Sequence, residues 1–250
     1  MSEIKENKKG LNSFIIRLIA VAIMTAGIIG TQQMQLDYEW LDYLSWISFP
    51  IFAFLLAVGF EETSDRVKYF IRLLLFALLA EIPYDYLYSG KLFNTSIHNG
   101  MLTLCLGYIV LVIVDFVSKK FNNLILTCAV IYITGIGAFE LAKWLGFEFY
   151  SFGIMFVLFF YVSRHIKYTR LLQLFLVLML MFYVASNTYI RFIIGNIQYS
   201  LPFRAYSFIS LLIIWTYNEK RGPNKLWLKI LMYLYYPLLL GVLCLVKIFM

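Results

Sequence analysis

The chain has 250 residues, of which 62% are hydrophobic and only 14% charged. A soluble domain has roughly 45–50% apolar and about 25% charged residues, so this chain lacks the charge to cover a water-facing surface. Disorder and collagen-like order are excluded too, because 23 Phe and 19 Tyr make the apolar content bulky. The net charge of +7 does not point to nucleic acid, because in a membrane chain Lys and Arg act first as topology signals.

The composition predicts an all-α membrane protein. It would be a polytopic bundle of about nine transmembrane helices, forming one integral membrane domain over 1–250. Nine apolar segments follow one another: Asn12–Thr31, Leu41–Phe60, Tyr69–Tyr88, Gly100–Val117, Asn123–Ala142, Phe149–Val162, Leu171–Ser186, Leu201–Tyr217 and Leu226–Phe249. A helical crossing takes about 20 residues, so several of these are short. Helix is expected because a lipid-exposed backbone must satisfy its own hydrogen bonds. A barrel strand would alternate polar and apolar residues, and Leu172–Met181 does not. The first segment has a basic start, a long apolar core and no small-residue cleavage site before Gln32, so it reads as a retained span. Cys105, Cys128 and Cys244 lie in apolar runs without metal-ligand or disulfide spacing, and no metal site is expected.

Basic residues alternate between the loops. Lys5, Lys8, Lys9, Arg66, Lys68, Lys119, Lys120, Arg164, Lys167, Arg170, Lys220, Arg221 and Lys225 fall on one side, and only Lys91, Lys143, Arg191 and Lys247 on the other. The positive-inside rule then predicts a cytoplasmic N-terminus and an outer C-terminus. The longest outer loops are Gln32–Trp40, Ser89–Asn99 and Asn187–Ser200. Tyr38, Trp40, Tyr43, Trp46, Tyr84, Tyr86 and Tyr88 cluster at the outer boundary as an aromatic belt would.

Ionisable residues at bilayer depth cost about 2.5–3.5 kcal/mol each, which makes them site candidates. Arg17, Arg204 and Lys229 lie near segment ends and are expected to snorkel; Asp115 is expected at the headgroups. Arg72 shares its span with Glu81 and Asp85. Glu81 is nine residues on, about 13 Å along a helix, so each needs a partner from another element. Glu81, Asp85 and Glu140 fall in outer halves, with Asp37, Glu39, Asp42 and Glu148 beside outer loops. That face is acidic; plain solvated loop charge is one reading of it, and a vestibule for a cationic peptide or amine is the other. The polar binding candidates are Arg72, Glu81, Asp85, His98, Asn99 and Thr103, on spans three and four and the loop between, which a helical hairpin brings together.

The stretch Phe49–Asp85 (FPIFAFLLAVGFEETSDRVKYFIRLLLFALLAEIPYD) resembles the core of the TraX family, named for the conjugal-transfer pilin acetylase. The likeness continues at Asn99–Leu104, Gly107, Tyr150–Tyr161, Tyr217–Gly222 and Lys229–Leu240, over about residues 12 to 245. It implies a multi-pass bacterial inner-membrane protein that transfers acetyl groups from acetyl-CoA to a pilin amine. The wider resemblance is to membrane acyltransferases with an intramembrane histidine as general base. A bilayer, and a peptide or membrane-protein partner, are then the expected partners.

Where the family usually has Asp-His in its first span, this chain has Gly27 and Ile28. Ser45-Trp46 stands for Gly-Arg, Val58 for a glutamate, and Leu239 for the last-helix histidine. Losing one member of a buried charged cluster strands the rest at several kcal/mol, whereas losing all of them relieves that cost. The resemblance therefore implies a scaffold without its acyl-transfer centre, its space filled by Ile28, Trp46, Val58 and Leu239, with a binding or accessory role and no cofactor. The alternative is an acetyltransferase with a relocated base, His98 or Glu81, and acetyl-CoA phosphates held by Arg164, Lys167, Lys220 and Arg221. A small-molecule transporter is a further alternative, but no inverted repeat is visible.

Overall fold

The computed structural model describes residues 9–33, 44–166, 168–183, 189–194, 197–223 and 225–249. In chain order they form α1 (Ser13–Gln33), α2 (Ser45–Glu62), α3 (Arg66–Ser89), α4 (Gly100–Phe121), α5 (Leu124–Trp144), α6 (Tyr150–Arg164) and α7 (Thr169–Tyr183). Then come an antiparallel hairpin of β1 (Tyr189–Ile194) and β2 (Ile197–Pro202), one turn of 3₁₀ helix (Phe203–Tyr206), α8 (Ser207–Ile214) and α9 (Leu226–Phe249). The fold is thus helical, with the small hairpin lying in the segment read as the loop Asn187–Ser200.

Among the described residues, five helices are long and apolar enough to cross a membrane: α1, α2, α4, α5 and α9. The 24 residues of α3 are long enough, but Arg72, Glu81 and Asp85 interrupt its apolar run. At 15 residues each, α6 and α7 are short for a crossing. The segment expected as one helix over Leu201–Tyr217 is instead strand end, 3₁₀ turn and eight-residue helix. Pro202 ends the strand, and Ser207 and Ser210 are fully or nearly fully buried.

Local chemistry sets the helix ends. Asp65, Asn99 and Asn123 cap α3, α4 and α5, each accepting a backbone N–H of the first turn. The Lys68 N–H holds the Asp65 carboxyl below the usual carboxylate range. Gly90 closes α3 and Asn122 closes α4 in the left-handed region.

Most of α2 is buried, enclosed by α1, α6, α8 and α4, while α3 packs along α9. Leu75, Leu79, Leu124, Ile125, Ile133 and Trp144 point outward. Such an apolar surface suits lipid, not water.

One end of the bundle is tied by charge. Asp115 takes Arg66 at 2.5 Å, Lys119 at 3.0 Å and the Tyr161 hydroxyl at 3.2 Å. It is buried and is not the headgroup-facing carboxylate expected. Arg164 pairs with Glu61 at 2.7 Å, and Arg221 with Glu62 at 2.5 Å. This is called the basic end; the opposite, acidic end carries Glu81, Asp85 and Glu148.

Candidate functional site

At the acidic end the α3–α4 connection folds onto the α5–α6 turn. The His98 N–H donates to the Gly146 carbonyl (3.0 Å), and the Glu148 N–H donates to the His98 carbonyl (2.7 Å). Gly146 has φ +67°, and a Cβ there would lie 2.0 Å from the Ser96 carbonyl oxygen, so only glycine fits this close crossing.

Asn99, 0% exposed, is the hub. Its Oδ1 caps α4 through Met101 and Leu102 N–H, while its Nδ2 donates to the Ala77 carbonyl (2.9 Å) and to Glu81. Glu81 also meets His98 Nδ1 and the Asn99 N–H (3.2 Å). Its partners therefore come from the loop and cap of the next helix, as the hairpin argument expected. The Thr103 hydroxyl donates to the Glu148 carbonyl. Asp85, 2% exposed, accepts the Asn94 N–H through Oδ2 (2.8 Å), and its Oδ1 has no partner among the described residues.

Glu148, read from sequence as part of an acidic outer face, completes this cluster. Its Oε2 accepts the Gly100 N–H at 2.8 Å. Burial pushes its carboxyl up to about 7; the Gly100 hydrogen bond opposes the rise and the Glu81 charge adds to it. Beside it Phe149 sits at φ +60°, a strained conformation for a bulky residue. Its ring stacks on Phe49 at 4.0 Å and meets Trp46 edge-on at 5.5 Å.

Glu148 and Phe149 also line a cavity of about 130 Å³ between α1, α2, α3, α4 and α9. Most of its wall is hydrocarbon and aromatic: Met24, Ile28, Phe49, Phe52, Leu104, Met232 and Tyr236 among others. A second cavity of similar size opens toward the basic end, lined by Arg17, Arg72, Lys229, Arg221 and Glu62. Arg17, Leu55, Tyr69 and Tyr233 line both, so the two share a wall.

This arrangement revises three expectations. Arg72 does not join the other five binding candidates: it lies toward the basic end, with its Nε unpartnered among the described residues. Arg17 and Lys229, expected only to snorkel, line the basic cavity with it. The space expected to be filled is hollow, for Ile28 lines the first cavity and Val58 the second. Trp46 packs on Phe149 and Phe152, and Leu239 packs in the cluster around Ile28 and Leu240.

Of the residues proposed to hold phosphates, Arg221 lines the basic cavity but is engaged with Glu62, and Arg164 is engaged with Glu61 away from both cavities. Lys220 is exposed, and Lys167 lies outside the described residues. Among the described residues no three His, Cys, Asp or Glu side chains are grouped to hold a metal ion.

Apolar helices long enough to cross a bilayer, with one cavity that carries a carboxyl and an adjoining one lined by basic residues, define a helical membrane protein with two partly open cavities in its bundle. A family model described as TraX protein matches residues 13–247. The chain belongs to the TraX family. Among curated proteins and among solved structures nothing matches it.

Proposed function

We propose that this TraX-family membrane protein keeps a ligand path through its bundle and acts by binding, the family's histidine-based acyl-transfer centre being lost. The observation that supports this is the pair of adjoining cavities that share a wall, with Ile28 lining the first where the family pattern has its histidine. The ligand class follows from the lining. Arg17, Arg72 and Lys229 offer cationic donors to phosphate oxygens. The apolar chamber beyond Tyr69 and Tyr233 accepts a short acyl end. An acyl-CoA has both parts, and it would enter from the cytoplasmic side if the basic end faces the cytoplasm. The inner membrane of a bacterium is the proposed location.

The second reading is a working acetyltransferase with a different proton acceptor. Glu148 favours it, because this carboxyl lines the chamber. His98 and Glu81, the bases considered from sequence, are bonded to each other and line neither cavity.

The test is titration of purified protein in nanodiscs with acetyl-CoA and with CoA. Both are expected to bind, and the Arg72→Ala/Lys229→Ala double variant should bind at least ~10-fold more weakly, each charge-assisted hydrogen bond being worth about 1.5–3 kcal/mol. No binding by the wild type, or full binding by the double variant, overturns the ligand path. Acetyl transfer to a peptide amine, read by mass spectrometry, selects the second reading over the first.

A further inference from the structure

The basic cavity holds more positive charge than its wall balances. Arg17, Arg72, Arg221 and Lys229 line it, and among the described residues Glu62 is the one carboxylate that does. Arg221 already meets Glu62 at 2.5 Å, so three cations are left without a lining counter-ion. All three are half-buried. Arg72 is the sharpest case, because its Nε is buried and has no hydrogen-bond partner among the described residues. An anion in the cavity would supply the missing acceptor through charge-assisted hydrogen bonds.

Depth narrows the kind of anion. Arg17, Arg72 and Lys229 are the fifth, seventh and fourth residues of α1, α3 and α9. At about 1.5 Å per residue they lie about 4–9 Å in from their helix starts. The headgroup layer on each side of the hydrocarbon is about 5–8 Å thick, so the three cations stand at the level of lipid phosphates. Each also has an exposed apolar neighbour in sequence: Leu18 beside Arg17, Ile71 beside Arg72 and Ile230 beside Lys229. A phosphate held here can therefore carry hydrocarbon that lies against the outside of the bundle. Size agrees. A cavity of about 150 Å³ admits benzene, so one of about 130 Å³ takes a phosphate and its first ester carbons and leaves long chains outside.

We propose that the basic cavity is a binding site for the phosphate of an anionic glycerophospholipid, and that this lipid competes there with an acyl-CoA. Basic pockets between transmembrane helices recognise lipid headgroups in this way. The lipid site stands on the cavity alone, whereas the competition rests on the acyl-CoA reading. The same cations would also take a free phosphate; the membrane depth and the apolar neighbours favour the lipid.

The probes are phosphatidylglycerol and phosphatidylcholine with the same acyl chains. They are added to delipidated full-length protein in detergent, and bound lipids are counted by native mass spectrometry. Phosphatidylglycerol is expected to be retained at least ~10-fold more strongly, and the Arg72→Ala/Lys229→Ala variant to lose that preference. Lys120→Ala/Arg170→Ala removes two exposed cations outside the cavity and should keep it. Equal retention of the two lipids, an unchanged preference in the first variant, or an equal loss in the second overturns the lipid site. Should the first variant fail to fold, Lys229→Ala replaces it, with the preference expected to fall by about 10-fold. Glycerol 1-phosphate has the phosphate without the chains, and should displace phosphatidylglycerol only at ~10-fold or higher concentration. Displacement at equal concentration gives the cavity to a soluble phosphate and overturns the lipid as its occupant. Acetyl-CoA should lower the retention of phosphatidylglycerol, and unchanged retention on chains that carry acetyl-CoA overturns the competition. If acetyl-CoA binds to no chain, the acyl-CoA reading falls and the competition with it, while the lipid counts still decide the lipid site.

Discussion

Asn99 does two jobs that a substitution can separate. Its Oδ1 caps α4 and its Nδ2 supports Glu81 and the Ala77 carbonyl. Removing the cap costs about 1 kcal/mol, and removing a hydrogen bond to a charged partner costs about 1.5–3 kcal/mol. Asn99→Ala should therefore lose about 2.5–4 kcal/mol on summing the two. Aspartate is among the best helix caps and suits a helix N-terminus electrostatically, so capping alone predicts that Asn99→Asp is nearly harmless. The structure predicts the opposite, because the substitution would set a second carboxylate against Glu81 where a donor stood. At pH 8 Asn99→Asp should be the less stable of the two variants. At pH 5 it should recover, since a proton shared between the carboxyls restores a donor. Intrinsic tryptophan fluorescence during thermal unfolding in detergent measures all three proteins. An Asn99→Asp protein more stable than Asn99→Ala at pH 8 would refute the reasoning.

Two further outcomes follow from the geometry. Gly153→Ala would bring a Cβ to 2.5 Å from Thr103 Cγ2 and 2.8 Å from Phe49 Cζ, an overpacking worth about 1–3 kcal/mol; unchanged thermal stability would contradict the α4–α6 contact. The Glu148 carboxyl, raised from 4.5 to about 7, binds its proton more tightly in the folded than in the unfolded chain. Its contribution is therefore lost as pH rises from the unfolded value through about 7. The wild type should lose stability over that interval relative to Glu148→Gln, with Glu81, His98, Tyr88 and Tyr236 the other titratable groups around it; parallel pH curves for the two proteins would count against a buried carboxyl.

Much of the helical order was legible. Asn99 and Asn123 stand before apolar runs, as caps do, and Asn122 follows one. The meeting of Glu81 with His98 and Asn99 followed from the hairpin of two long helices that the loop Ser89–Asn99 joins. Glu148 was not legible, because its partial burial comes from contact with a segment 48 residues earlier in the chain, and nothing in FEF marks it. Arg17, Arg72 and Lys229 each look like a snorkelling cation when taken alone. That they sit within two turns of their helix starts, on three helices that meet, was the overlooked signal. The cavities were invisible because a hollow is where side chains stop, and substitutions such as Ile28 read equally well as filling. The segment 201–217 misled because hydropathy is the same for a lipid-spanning helix and for a short buried one.

The enclosure of α2 constrains how the chain is assembled. Glu61 and Glu62 close that helix, yet Arg164 and Arg221, which neutralise them, lie 103 and 159 residues downstream. While the ribosome is still making those later segments, a greasy rod ending in two bare anions has only its earliest neighbours for company. Completion of the C-terminal third then fastens the beginning, and a chain released early should be left for the quality-control proteases.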